Sequence, residues 1–365
     1  MVARKLSTRG RVAVLWGASL FVLLQAALAM AADSLLPGLR YPEYGRKLAL
    51  LKRLYAECGG QPALVALGTS RTAFGFSPAA GGDSARNDAG WQFNLALTGQ
   101  GPIQELVCLH RLLAEGIRPR RLLIEIHPPL LHQNFPFFEP GLSDVARLTW
   151  ADLGVVARYA DGPRQLYLDW FRSRCLPWHA HRRHILGSLA PCLLTELERT
   201  DLNLTRQTDA WGWSQFPVRP TDEANRRAME EWSTGLYVEY LREFAISAAP
   251  RRAIIELLDL CRREQIEPAL LLMPECERFR QGYPAQALTM LERWLDELER
   301  EHGVAVFNCR EWCSDDQFCD GHHMLPEGAQ RFSARLEASA LRPWLASKPP
   351  RRTAMKNHST SRGRN

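Results

Sequence analysis

Short apolar runs that alternate with longer amphipathic segments restrict this chain to a small set of folds. The runs short enough for buried strands are residues 63–67, 121–126, 269–273 and 304–307. The segments with helical spacing between and after them are residues 103–115, 252–264, 286–302 and 326–345. Strands joined by helices of this length predict a three-layer α/β/α fold of the flavodoxin-like type, with a parallel sheet.

The middle of the chain breaks this alternation. Residues 131–248 are rich in tryptophan and arginine and contain neither an alternating pattern nor a repeat. We interpret this stretch as a mostly helical insertion, which would act as a lid. The α/β domain is therefore predicted in two parts, residues 62–130 and 249–345, with a connecting helix within residues 33–61.

Residues 12–32 carry no charge and are long enough to cross a bilayer. A helix of this length extends roughly 30 Å, the thickness of the hydrocarbon core. The cations of the first eleven residues predict a cytoplasmic N-terminus and an extracytoplasmic body, in the periplasm or at the cell surface. Small residues at Ala27, Ala29 and Ala31 also fit a cleavage site, so residues 1–32 are either a single-helix membrane anchor, which the length favours, or a removed signal peptide.

The net charge of +6 comes from the two ends of the chain. Four cations precede residue 12 and six follow residue 347, so the rest of the chain is net acidic. This distribution does not predict a nucleic-acid-binding face. The basic tail, residues 346–365, has the composition of a disordered segment.

The cysteines and histidines predict neither a metal site nor a cofactor. Cys309, Cys313 and Cys319 are close enough in sequence for a local disulfide, although small buried apolar side chains are the alternative interpretation. His179, His181 and His184 form an H-x-H-x-x-H pattern, but arginines surround it and their charge opposes a bound cation.

Two separated motifs carry chemistry at the same predicted edge of the sheet. Ser70 follows the first strand, where a following helix would direct its N-terminal N–H groups at the serine oxygen. Asp320 and His323 are three residues apart after the last strand, so the carboxylate can reach one imidazole nitrogen in a turn. The other nitrogen stays available to take the serine proton, which predicts a serine–histidine–acid triad.

Other assignments compete with this triad. His322 is the alternative base, but the spacing from Asp320 favours His323. Cys319 is an alternative nucleophile, but no helix N-terminus is predicted to lower its pKa. A purely structural interpretation treats Asp320 as a turn cap and His323 as a loop residue; it does not explain why both motifs lie at one edge of the sheet.

These motifs resemble blocks of the SGNH/GDSL hydrolase superfamily, over residues 62–130 and 250–340. The G-D-S block appears as Gly68-Thr69-Ser70, and the D-x-x-H block runs from Asp320 to His323. The N-x-G-x-x-G block is loosely matched by the residues from Asn94 to Gly99. The resemblance implies an SGNH fold with Ser70, Asp320 and His323 as catalytic residues and the N–H groups of Ser70 and Gly99 as oxyanion donors.

The third block of the family departs from its pattern here. Its asparagine is expected after the strand that ends at Ile126, where this chain has His127. His127 and Asn134 are both candidates for the third oxyanion donor. We also expect Arg71, Asn94, His127 and Arg280 to contact substrate, with Arg278 as an alternative to Arg280.

The G-T-S-R start and the missing asparagine are similar to exported members that act on surface polymers, such as the alginate O-acetyltransferase group and the D-alanine transfer protein of teichoic acids. The resemblance implies an esterase or acyltransferase that acts on acyl esters, acetyl above all, of an extracytoplasmic glycan. It also implies a membrane-bound O-acyltransferase as partner. The alternative is a catalytically weak or inactive scaffold that binds a surface polymer or such a partner.

Overall fold

The computed structural model describes residues 8–32, 37–80, 86–87, 90–132, 145–203, 207–242 and 244–347. At its centre is a six-stranded sheet with the strand order β2-β3-β1-β4-β5-β6. The strands are β1 Leu64–Leu67, β2 Arg86–Asn87, β3 Gly90–Asn94, β4 Arg121–Glu125, β5 Glu267–Leu272 and β6 Ala305–Asn308. Five strands are parallel, and only the short edge strand β2 is antiparallel.

Helices lie on both faces of this sheet, in the insertion and ahead of the sheet domain. They are α1 Thr8–Met30, α2 Pro37–Arg40, α3 Pro42–Cys58, α4 Ser70–Gly75, α5 Pro102–Ala114, α6 Trp150–Val156, α7 Pro163–Cys175, α8 Pro177–Leu189, α9 Glu196–Asn203, α10 Glu223–Arg242, α11 Ala248–Glu264, α12 Glu277–Gln281, α13 Ala285–His302, α14 Pro326–Leu336 and α15 Arg342–Ala346. A π-helical turn, Glu337–Leu341, joins the last two.

The chain reverses direction across the sheet after β3, which makes this a doubly wound fold. From β1 it moves outward to β3, then returns to β4 on the other side of β1. Since parallel connections are right-handed, the helices before and after the reversal lie on opposite faces. Accordingly α4 packs with α14, and α5 packs with α11. The predicted three-layer α/β fold is confirmed, and the reversal opens a crevice at the carboxyl ends of β1 and β4.

The strand cores explain why these segments pair. Every residue of β1 and β4 is buried, as a central parallel strand with helices on both faces requires. Strand β3 was absent from the sequence prediction, because Gly90-Trp-Gln-Phe-Asn94 has no β-branched residue and no apolar run.

The described part of residues 131–248 is helical and adds no strand to the sheet. It contains α6 to α10 and one isolated bridge between Thr208 and Ser214. Ahead of the body, Arg9–Met30 is a helix long and apolar enough to cross a membrane. It lies against α7 and α8.

Candidate active site

The turn after β1 presents Ser70 at the start of a helix. Thr69 is the N-cap of α4, and its Oγ1 accepts a hydrogen bond from the N–H of Arg71 at 3.1 Å. Ser70 is the first helical residue, so its own N–H has no acceptor within the helix. The turn therefore exposes both a hydroxyl and an unsatisfied N–H at the carboxyl edge of the sheet.

The three predicted catalytic side chains come together in one hydrogen-bonded chain. The Ser70 Oγ lies 2.8 Å from the Nε2 of His323, and the His323 Nδ1 lies 2.8 Å from an oxygen of Asp320. The other Asp320 oxygen accepts the N–H of His323 at 2.8 Å. Gly321 permits this turn, since its φ of +89° is left-handed and a Cβ would lie 2.9 Å from the Cys276 sulfur.

The surroundings of the Ser70–His323–Asp320 hydrogen bonds favour an ionised Asp320. Burial opposes ionisation, but the imidazoles of His323 and His322 and the hydrogen bonds from His323 outweigh it and lower the pKa of Asp320. An ionised carboxylate directs the Nδ1–H of His323 towards itself, and this leaves Nε2 as the proton acceptor for Ser70.

His322, the competing base, faces away from the serine. Its Nδ1 lies 2.6 Å from the Oγ of Ser233, a residue of the insertion helix α10. Burial, followed by the neighbouring His323, lowers the pKa of His322 to about 3, so its ring is neutral at pH 7. Cys319 is buried as well, and burial raises its pKa to about 12, which leaves a protonated, poorly nucleophilic thiol.

Glu125, which the sequence analysis did not single out, supports the serine turn from the end of β4. Its carboxylate accepts hydrogen bonds from the N–H of Thr69 at 2.8 Å and from the hydroxyl of Thr72 at 2.7 Å. Gly68 allows this approach, because a Cβ there would lie 2.6 Å from Glu125 Oε2. In the sequence, Glu125 is marked only as an acid at the end of β4, after three apolar residues that follow Arg121.

Arg71 belongs to this supporting network rather than to a substrate surface. Only 1% of the residue is exposed, and its Nη2 donates to the carbonyls of Met273 and Pro274 at 2.8 and 3.0 Å. Its guanidinium also lies 3.3 Å from Glu275 and 3.8 Å from Glu125. The structure does not support the predicted substrate contact of Arg71, because the residue is buried and its guanidinium faces two carbonyls and two carboxylates of the protein.

Asn94 likewise serves the protein itself. Its side-chain nitrogen donates to the carbonyls of Thr72 and Phe76, at 2.8 and 2.6 Å, and its oxygen accepts the N–H of Ala96. The carboxamide thus ties the end of β3 to helix α4. A strand residue of this kind points into the protein, which the loose motif match could not reveal.

Gly99 follows on the same loop, and its oxyanion role stays a prediction. The loop is joined to the serine turn by the hydrogen bond from Leu97 N–H to the Gly68 carbonyl at 3.0 Å. Gly99 has a left-handed φ of +67° and open space where a side chain would begin. A glycine of this kind can bring its backbone close to a ligand.

His127 lies behind the triad. It is buried, its ring is 6.4 Å from that of His322, and burial together with Arg71 lowers its pKa well below the ordinary value. Its Nε2 has no hydrogen-bond partner among the described residues. Asn134, the other candidate for the third donor, lies outside those residues.

Arg280 and Arg278 serve different contacts from those predicted. The guanidinium of Arg280 donates to the carbonyls of Glu275 and Arg310, so it organises the loop after β5. Arg278 is exposed and pairs with Glu231 of α10 at 3.2 Å. Both arginines are thus engaged with the protein itself.

The insertion contributes aromatic side chains to the site. The ring of Phe216 stacks on the His323 imidazole at 4.6 Å, and Phe74 meets the same imidazole edge-on at 5.8 Å. Tyr237 of α10 packs against His322 at 5.2 Å. No motif marks Phe216 or Tyr237 in the sequence, yet Phe216 stacks on the imidazole that would carry the proton and Tyr237 packs against its neighbour His322.

Metal ligation has one candidate set in the described part of the chain, and it is the triad region itself. Ligand atoms of Asp320, His322 and His323 lie within 4.8 Å of one another. Both ring nitrogens of His323 already face Ser70 and Asp320, so that ring is committed to a proton-transfer chain. All nine cysteines are unpaired, including Cys309, Cys313 and Cys319.

This arrangement is competent for acyl transfer through a serine nucleophile. It has a hydroxyl bonded to an imidazole, a carboxylate that orients the imidazole, and a helix N-terminus beside the hydroxyl. The chain matches no protein-family model and no curated protein sequence.

Proposed function

We propose that this protein is a membrane-anchored, extracytoplasmic serine esterase or O-acyltransferase of the SGNH/GDSL type. The observation that carries the proposal is the continuous chain from the Ser70 Oγ through His323 to Asp320, with both links at 2.8 Å. It stands at the carboxyl edge of a doubly wound parallel sheet, where such folds bind their ligands.

The reaction begins when the Ser70 oxygen attacks the ester carbonyl and its proton passes to His323 Nε2. The oxyanion of the tetrahedral intermediate faces the N–H of Ser70 and, in our proposal, that of Gly99. The bond to the leaving alcohol then breaks, and His323 returns the proton to that alcohol. Ser70 is left as an acyl ester.

The second half repeats these steps with a new hydroxyl compound. Water or a sugar hydroxyl attacks the acyl ester, gives its proton to His323, and releases Ser70 with its proton restored. Asp320 holds the imidazole in one orientation and stabilises its charged form in both halves. Water as acceptor gives an esterase, and a sugar gives a transferase.

The substrate class and partner rest on the family resemblance and on the N-terminal helix. A body held outside the cytoplasm by one helix would meet surface glycans, and we propose acetyl esters of such a glycan as substrates. A membrane-bound O-acyltransferase is the proposed partner, since it would supply acyl groups to the same face of the membrane.

Hydrolysis of p-nitrophenyl acetate and of an acetylated glycan by the full chain in detergent tests the proposal. Ser70→Ala should lower kcat/KM by at least about 1000-fold, because the nucleophile is lost. Ser188→Ala, a change at an exposed serine of α8, should leave it unaltered. Equal rates for the Ser70→Ala variant and the unmodified chain would refute the proposed enzymatic activity and favour the alternative, a scaffold that binds a surface polymer or a partner.

Addition of a sugar acceptor separates the two enzyme types. A transferase should form acetylated sugar at the expense of free acetate, whereas an esterase should release the same amount of acetate with or without the sugar.

A further inference from the structure

Several large apolar side chains of helices α7 and α8 are exposed at the surface of the protein. Around the single residue that joins these helices, the outer apolar face consists of Leu168, Phe171, Cys175, Leu176 and Trp178. Phe171 is 62% exposed, and Leu168, Leu176 and Trp178 are each more than 40% exposed. Several large exposed apolar side chains on neighbouring helical turns are typical of a contact with lipid or with another protein, although exposed Arg172 lies beside them.

The opposite side of α7 is apolar as well. Leu166 is buried there in a cluster with Val145 and Leu153, and Trp170 packs against the same cluster. A surface helix in water normally has one polar face, whereas α7 has apolar side chains on two opposite faces. This pattern suits a helix between a protein core and lipid.

The outer apolar face adjoins the anchor helix α1. Gln25, Leu28 and Ala29 recur at helical spacing and are partly buried, and Ala32 is buried, whereas most residues before them are exposed. The side chain of Gln25 accepts the N–H of Trp178 at 3.2 Å. The last two turns of α1 therefore lie against the insertion, at the residues where α7 and α8 meet.

The length of α1 decides where the membrane surface lies. Residues 12–24, the apolar part that precedes this packed end, would extend only about 20 Å, whereas the hydrocarbon core is about 30 Å thick. To cross the core, α1 must also use the turns that contact the insertion. The outer apolar face then lies at the depth of the bilayer and not above it.

The backbone at this junction is suited to an apolar environment. The Leu176 N–H donates to the Arg172 carbonyl at 3.0 Å, Pro177 has no N–H, and the Trp178 N–H is taken by Gln25. In lipid a backbone N–H without an acceptor is strongly unfavourable, and such N–H groups occur where one helix ends and the next begins. Here a side chain of the anchor satisfies the N–H of Trp178.

We propose that the outer apolar face is a membrane-contact surface that lies in the leaflet next to the carboxyl end of α1. This inference rests on the membrane anchorage within the proposed function. Its occupant is lipid, which the adjoining anchor and the length of α1 indicate. Since the insertion also places Phe216 and Ser233 at the candidate active site, the surface would fix that site at the membrane.

Lipid quenching of a fluorophore on Cys175, which is exposed on this face, tests the proposal. The full chain with Cys192→Ser carries the label and is reconstituted alone into vesicles whose lipids are brominated near the headgroup end of the acyl chains. The matched control carries Cys175→Ser, Cys192→Ser and Glu292→Cys, which moves the label to an exposed position of α13. A variant with only the two serine substitutions measures labelling of the remaining cysteines.

The label at Cys175 should be quenched at least about threefold more than the label at position 292, because amphipathic surfaces enter about 5–10 Å into the interface. Equal quenching at the two positions would overturn the proposal and leave the surface to a protein partner. Leu168→Asn with Phe171→Asn should reduce the quenching at Cys175.

The same samples separate this inference from the proposed function. Hydrolysis of p-nitrophenyl acetate should be unchanged by the two asparagine substitutions, which also shows that the variant is folded. If the unmodified chain hydrolyses no ester, the enzyme proposal fails while the quenching result still stands by itself.

Discussion

At the scale of single residues, the position of Ser70 depends on a carboxylate from a different strand. In Glu125→Gln, the new NH₂ donor would face the N–H of Thr69 and the hydroxyl of Thr72, which are donors themselves. The substitution would also remove one of the negative charges near the Arg71 guanidinium. We expect a loss of about 3 kcal/mol in the free energy of unfolding, because buried donors of Thr69 and Thr72 lose an acceptor and Arg71 keeps, among the described residues, only Glu275 as a charged partner. Urea denaturation in detergent measures this loss.

Activity should fall as well, by about 100-fold in kcat, since a small displacement of the nucleophile is enough. The control is Glu115→Gln, which removes an exposed ion pair with Lys52 and should change stability by less than about 1 kcal/mol. An unchanged kcat in the Glu125→Gln variant would show that the turn keeps its geometry without the carboxylate.

His322 should give the folded protein a pH dependence of its own. Its pKa is about 3 when folded, through burial first, and about 6.5 in an unfolded chain. Between these values the unfolded chain binds a proton that the folded chain does not, so stability falls as pH falls. The loss between pH 7 and pH 5 should be about 2 kcal/mol.

His322→Asn removes this proton while its amide can still face Ser233. Urea midpoints at pH 7 and pH 5 should therefore differ less in this variant than in the unmodified protein. The pKa of Asp320 is lowered from an ordinary value near 4, so its own contribution is lost only at lower pH. The same pH dependence in both proteins would contradict the assignment.

Sequence reasoning reached the residues that motifs mark, and it missed those that support them. Ser70 and the D-x-x-H turn follow strands that are visible as apolar runs, so their common edge was predictable. Glu125 and Ser233 lie in no motif, and their partners are distant in the chain. Arg71 was given a substrate contact because a sequence does not show whether a side chain faces solvent or core.

At the scale of secondary-structure elements, the insertion docks on strand β3 through the loop around Gly212. The N–H of Asn94 donates to the Trp211 carbonyl at 2.9 Å, and a Cβ on Gly212 would lie 2.2 Å from the Asn94 carbonyl oxygen. Gly212→Ala should destabilise the protein by at least about 2 kcal/mol, through overlap and the left-handed φ of +84°. Thermal unfolding and ester hydrolysis measure the effect, and activity should fall because Asn94 also holds α4.

Gly154→Ala is the matched control. Gly154 lies in helix α6 with open space around its Cβ position, so alanine should leave stability unchanged or raise it by up to about 1 kcal/mol. If both substitutions behaved alike, the loop around Gly212 would not be a packed contact.

The secondary-structure elements that could be predicted were those whose apolar residues recur at regular spacing. The helices of the sheet domain begin and end within a few residues of their predicted bounds, because apolar spacing and Gly or Pro residues mark them. Strand β3 and the helix order of the insertion were not predictable, since β3 is held by partners on both sides and the insertion helices lack a single apolar face.

At the scale of the whole molecule, the distribution of charge predicts the membrane orientation that we propose. The cations at the N-terminus lie just before α1 in the chain or in its first turn, whereas those of the tail lie far from it in the chain. Only basic residues close to a span determine its orientation. The two basic ends of the chain should therefore have unequal effects on orientation, although the tail carries more cations.

Alkaline phosphatase fused after Asn365 should be active in a bacterial host, and green fluorescent protein at the same place should stay dark, because both report an exported C-terminus. Replacement of the four cations before residue 12 by glutamine should lower phosphatase activity several-fold. Replacement of Arg351, Arg352, Arg362 and Arg364 should not. Carbonate washing should leave the fusion in the membrane fraction, since α1 is long and apolar enough to cross the bilayer and is expected to stay uncleaved. A fluorescent fusion would place the candidate site in the cytoplasm, and a soluble exported fusion would show that α1 is removed.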